Sequence, residues 1–272
     1  MRHNAVSFRI NWDSLGMSLK IKTCKGNVFM SFKKIVAPVV DYYKDLRFHN
    51  LTSRRYNHII MALYWVLYGS IFGILEAHFP RWFDITYQPV YCAWDDLIPF
   101  CEWFVIPYYY WFVFLIGFGA FWFCYEVEAF REWMWAIILS YSVTIVVYLA
   151  WPNMQELRPV SFERDNFMVD IVKNLYDFDT NTNVCPSIHC LGSFATTFAG
   201  LHSKWFRGFW WKLSFILTSL FISASTVFLK QHSIIDVFVA IGVSAVCYAV
   251  QYWIFPKYMT APKSVAEPSA VC

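Results

Sequence analysis

Apolar positions are scarce in the first 57 residues and then run almost unbroken in six stretches: His58 to Phe79, Trp103 to Tyr125, Trp133 to Trp151, Ile188 to Ser203, Leu213 to Leu229 and Ile234 to Phe255. Their interiors are nearly free of charge. Backbone groups in lipid must be satisfied within the segment, so helices are the expected spanning form, and the alternating short segments of a barrel are not visible. Trp82, Trp103, Trp133, Trp151, Trp205, Trp210 and Trp253 sit at or near the ends of the runs, as interfacial belts require. The pattern predicts an all-α fold, a six-span transmembrane helical bundle.

Composition strengthens that reading. The 272 residues are 58% apolar, 21% aromatic and only 15% charged, against about a quarter charged for soluble domains. Three regions follow: a basic cytoplasmic segment 1–57, a membrane domain 58–256 and a short cytoplasmic tail 257–272. A net charge of +3 is too small to point to nucleic acid, so membrane lipids are the expected partners, with oligomeric state left open.

Segment 1–57 holds 11 of the 22 Lys and Arg residues. It lacks the apolar run behind a charged start that a cleavable signal needs. An amphipathic surface helix near Phe32 to Tyr43 and a loosely ordered tail both fit it, and Met17 or Met30 offers an alternative start. With the N-terminus taken as cytoplasmic, 17 Lys and Arg fall inside and five outside (Arg81, Arg158, Arg164, Lys173, Lys230), which places both termini inside. Without the tail the split is 6 to 5.

The eight cysteines show no C-x-x-C pair and no Cys/His metal spacing, so no metal or other cofactor is expected. Cys92, Cys101 and Cys185 fall on one side, where either a disulfide or free thiols fit.

Ionisable groups at the mouth of an apolar span are candidates for function. Arg158-Pro159 follows the third run, Cys185-Pro186-Ser187-Ile188-His189 opens the fourth, and Lys230-Gln231-His232-Ser233-Ile234-Ile235-Asp236 links the fifth to the sixth. If the fourth run crosses and the fifth returns, Arg158, His189 and His232 share one membrane surface. His232 and Asp236 are four residues apart, hence stacked on one helix face. A carboxylate there accepts the imidazole N–H and leaves the other ring nitrogen as nucleophile or base; a polar pair that merely packs the bundle is the alternative. Pro186 suits the first turn of a helix, where Ser187 and free backbone N–H groups cradle an anion, and His189 is placed to protonate a departing oxygen. Arg158 offers a fork to phosphate oxygens, and Lys230 lies nearby, although a solvated Arg and a snorkelling Lys are the ordinary explanations. Together these groups describe phosphoryl transfer through a histidine, without metal.

At these residues the chain resembles the type-2 phosphatidic acid phosphatase superfamily of integral membrane enzymes, related to sphingomyelin and inositol phosphorylceramide synthases and to vanadium haloperoxidases. That family carries K-x6-R-P, P-S-G-H and S-R-x5-H-x3-D in this order. Here Arg158-Pro159 is kept with Trp151 at the Lys position, Pro186-Ser187-Ile188-His189 has Ile for Gly, and Ser225, His232 and Asp236 are kept with Thr226 at the Arg position. The resemblance implies His232 as nucleophile, Asp236 as its orienting partner, His189 as acid, and Arg158 and Ser187 as phosphate holders, with Lys230 as a candidate replacement for a lost cation. It implies a lipid phosphate substrate and an extracytoplasmic site, expected at the plasma membrane. Loss of the Arg is similar to the synthase branch, which passes a head group to an alcohol. A silent scaffold or transporter is the remaining alternative.

Overall fold

Long apolar runs without internal proline or charge form helices because every backbone group finds its partner four residues away. The computed structural model describes residues 7–13, 16–23 and 26–254 and is mostly helical. Its strands are β1 (Ser7–Asp13), β2 (Gly16–Thr23), β3 (Gly26–Ser31), β4 (Gln88–Pro89) and β5 (Asn153–Met154). Its helices are α1 (Phe32–Tyr43), α2 (Asn57–Ala62), α3 (Tyr64–Ala77), α4 (Phe79–Trp82), α5 (Ala93–Leu97), α6 (Val105–Tyr125), α7 (Val127–Ala150), α8 (Phe167–Phe178), α9 (Ile188–His202), α10 (Phe209–Phe228) and α11 (Ile234–Ile254).

The chain divides into two units, Met1–Tyr56 and Asn57–Cys272. In the first, β1, β2 and β3 form an antiparallel meander in which Ile10 pairs with Leu19 and Leu19 with Met30, followed by α1 over the residues expected to be helical. The three strands are absent from the sequence reading. Residues 257–272, read there as a tail, lie outside the described residues.

Among the described residues of the second unit, five segments are long and apolar enough to cross a membrane: Asn57–Ala77, Glu102–Tyr125, Val127–Ala150, Phe209–Phe228 and Ile234–Trp253. This is a multi-pass membrane protein. The remaining expected run, the fourth (Ile188 to Ser203), is α9, and its 15 residues extend only about 22 Å against a hydrocarbon core of about 30 Å.

Instead of facing outward, α9 is the packed axis of the unit, in contact with α6, α7, α10 and α11. Cys190, Leu191, Ala195 and Ala199 are buried in the main apolar core with Trp122, Ile137, Phe215 and Ile222. Small residues let the neighbours approach. At Gly192 an added Cβ would lie 2.6 Å from the Tyr141 hydroxyl and 3.2 Å from Trp111 Nε1. Trp133 Nε1 donates to Thr196 Oγ1 at 3.0 Å, and Tyr141 donates its hydroxyl to Ile188 O at 3.0 Å.

The contacts of α9 and of the residues just before it run along most of the length of α7. Tyr148, near the end of α7, donates to Pro186 O at 2.8 Å, whereas Glu132, near its start, meets His202 at 2.5 Å. The amphipathic helix α8 buries Val169, Val172 and Leu175 and leaves Phe167 and Phe178 exposed. With Tyr108 and Leu229 it forms a second apolar cluster against the α10–α11 turn.

Candidate functional site

The turn from α10 into α11 places His232. Lys230 has a left-handed backbone, φ 54°, a conformation that favours glycine. The N–H groups of Lys230 and Gln231 bond to Val227 O and Thr226 O, and that of His232 also reaches Thr226 O at 3.1 Å. This is a Schellman ending, with the left-handed residue at its usual position. The Lys230 side chain compensates for the missing glycine, since Nζ donates to Asp95 O at 2.6 Å and Ile98 O at 2.5 Å.

Asp95, on α5, holds the same turn from its other side. Its buried carboxylate accepts from Ile234 N at 2.8 Å, Ser233 Oγ at 2.6 Å and Cys92 N at 2.9 Å. It therefore satisfies the free Ile234 N–H at the start of α11, as a capping carboxylate does. Asp95 is not among the candidate residues read from the sequence.

From that turn His232 Nδ1 meets Asp236 Oδ2 at 3.0 Å, and the same oxygen accepts from Ser233 N at 3.1 Å. Asp236 is wholly buried and His232 is 6% exposed. A carboxylate taking two N–H groups fixes the tautomer with the proton on Nδ1, so Nε2 carries the lone pair. Beside Asp236, burial and that negative charge push the Cys185 thiol well above the ordinary thiol range.

His189 approaches from α9. Its ring centroid lies 5.7 Å from that of His232, and the ring is held between Tyr108 at 4.4 Å and Trp111 at 4.6 Å. Neither aromatic was singled out from the sequence; both arrive on α6, far away in the chain. Nδ1 of His189 is buried without a hydrogen-bond partner. Ser187 is the N-cap of α9, with its hydroxyl 3.5 Å from Cys190 N. Pro186 stands one residue before that cap rather than inside the first turn. The segment leading to it is held by Asn153, whose Oδ1 accepts from Val184 N and Cys185 N and whose Nδ2 donates to Cys185 O.

Arg158 joins the site through Gln231. Nη2 donates to Gln231 Oε1 at 2.6 Å, to Asp179 O at 2.6 Å and to Thr180 O at 3.0 Å, while Nη1 donates to Tyr176 O at 3.0 Å. The guanidinium also stacks 4.5 Å above the Tyr176 ring. Burial pulls its pKa below the usual value, opposed by Asp179, yet a guanidinium stays charged. Nε has no partner. For Lys230, burial likewise lowers the pKa, with Asp95 and Asp96 opposing.

The structure thus gathers His189, His232, Asp236, Ser187 and, through Gln231, Arg158. Lys230 adjoins them as a strut with two of its three ammonium hydrogens committed. Thr226 is wholly buried and donates its hydroxyl to Ser223 O at 2.8 Å, whereas Trp151 is 41% exposed. Neither supplies a cation. Cys92, Cys101 and Cys185 are free thiols. Comparison of the chain with protein-family models, curated proteins and solved structures gave no match.

Proposed function

We propose that the protein is an integral membrane lipid phosphate phosphatase, similar to the type-2 phosphatidic acid phosphatases, acting through a phosphohistidine. One observation carries the reading: two nearly buried imidazoles with centroids 5.7 Å apart, one of them bonded to a fully buried carboxylate. A phosphoryl group touching both rings at about 3 Å fits that separation.

In the first half-reaction Nε2 of His232 forms the N–P bond as the ester P–O bond breaks. His189 gives its proton to the leaving oxygen, releasing the alcohol. Asp236 keeps the Nδ1 proton in place and stabilises the cationic ring. In the second half-reaction water transfers a proton to His189 while its oxygen attacks phosphorus; the N–P electron pair returns to His232 and phosphate departs. Arg158, through Nε, and Ser187 hold non-bridging oxygens.

The membrane arrangement belongs to the same proposal. Helix α9, lengthened at its ends by Pro186, Ser187 and Ser203, is taken as the sixth crossing, since its contacts extend from Tyr148 to Glu132 of α7. Both termini are then cytoplasmic and the site is extracytoplasmic, at the plasma membrane.

Transfer of a phospho head group to a lipid alcohol is a second reading, favoured by the sparse free charge. The donors of Arg158 Nη2 and two of those of Lys230 already serve carbonyl oxygens, which suits a singly charged diester better than a dianion. Added diacylglycerol separates the two, because a transferase converts it into a new phospholipid. The intermediate is tested with substrate carrying labelled phosphate. A base-stable, acid-labile label on wild type, absent from His232→Asn, is expected; label that is acid-stable or indifferent to that substitution overturns the mechanism.

A further inference from the structure

Gln231, which directly precedes His232, is 2% exposed. Its Oε1 accepts from Arg158 Nη2 at 2.6 Å. A guanidinium only donates, so the amide oxygen must face Arg158 and the NH2 group must face away. That NH2 group, Nε2, is buried without a partner among the described residues.

A closed circuit of contacts links this amide to the two imidazoles. Gln231 is bonded to Arg158, Arg158 Nη2 to Asp179 O, Asp179 Oδ2 to the Tyr108 hydroxyl at 2.5 Å, and the Tyr108 ring lies 4.4 Å from His189. His189 in turn faces His232. On the same circuit Arg158 Nε and His189 Nδ1 are also buried and unpartnered. Gln231 Nε2 and Arg158 Nε can only donate, and buried donors without acceptors are costly, so these two on one circuit call for a ligand that brings acceptors. The non-bridging oxygens of a phosphate ester are such acceptors.

We infer that the Gln231 side-chain amide is a phosphoryl-oxygen donor of this site. It binds through Nε2–H to a non-bridging oxygen, a place for which neither Thr226 nor Trp151 provides a cation. The role in turnover rests on the phosphatase reading; the role in anion binding does not. A neutral amide positions the anion through its dipole, alongside the charged donor at Arg158 Nε.

The test uses the full chain in detergent with Gln231→Met, which keeps length but has no donor, and Gln231→Glu, which keeps an oxygen toward Arg158 and puts a second oxygen where the donor stood. Inorganic phosphate binding is read from its concentration-dependent thermal stabilisation, and turnover from hydrolysis of short-chain phosphatidic acid. Phosphate affinity is expected to fall roughly 10- to 100-fold in Gln231→Met and further in Gln231→Glu. The value of kcat/KM should fall in parallel, with an unmoved pH profile because the titrating histidines remain. Should Gln231→Met fail to fold, Gln231→Glu, with Arg158 as its counter-charge, carries the comparison. Phosphate that fails to bind wild type, or binds all folded variants alike, overturns the inference. Gln231-dependent phosphate binding without any His232-dependent turnover leaves the inference standing and removes the phosphatase reading.

Discussion

Asp236 has no solvent to share its charge with, and both N–H groups it accepts belong to the turn that carries His232. Replacing it by Asn keeps the shape and can keep an oxygen toward both donors, but it removes the negative charge that stabilises the cationic imidazole. Asp236→Asn is expected to lower kcat by roughly 10²- to 10⁴-fold with little change in KM; folded protein that keeps its kcat would contradict this. The pair was legible in the sequence because a spacing of four is local, although His232 lies in the turn just before α11 rather than on the helix. Gln231, Tyr108 and Asp95 were not. Gln231 acquires its meaning from Arg158, 73 residues away, and Tyr108 from Asp179, 71 residues away; no periodicity encodes such meetings.

Helices α9 and α11 set the distance between the two histidines, so changes in their seating should be felt at the site. Gly192→Ala pushes a methyl group against Tyr141 and Trp111, and overpacking of this kind costs about 1–3 kcal/mol. The expected result is a lower Tm together with a slower rate, because Trp111 also holds the His189 ring; an unchanged Tm would mean that the helices separate freely. At the start of α11, Asp95→Ala removes three accepted hydrogen bonds and should cost about 1–3 kcal/mol. Loss of stability with loss of kcat is expected, and a variant with both intact would show that Asp95 does not hold the turn. The apolar runs made the long helices easy to place. The meander β1–β3 was passed over although Phe8, Ile10, Trp12, Leu19 and Ile21 alternate with polar positions: interleaved Arg9, Lys20 and Lys22 drew attention to net charge rather than to period two. The length of α9 was not legible either, because hydropathy marks a run as apolar without distinguishing contact with lipid from burial among other helices.

Across the whole molecule, the parity of crossings decides where the chain ends lie. Six crossings put both termini on one side, whereas five put them on opposite sides. Tags placed at the two ends of the intact protein should both become accessible only after the membrane is permeabilised from outside; a C-terminal tag accessible in sealed cells would remove α9 as a crossing. The chemistry is decided by products. Purified wild type and His232→Ala are given phosphatidic acid in chelator, with and without diacylglycerol, and both free phosphate and new lipid are measured. Histidine-dependent phosphate release, insensitive to the chelator, is the predicted result, and histidine-dependent new lipid would move the assignment to the transferase reading. Release at the wild-type rate from folded His232→Ala would contradict a phosphohistidine enzyme outright.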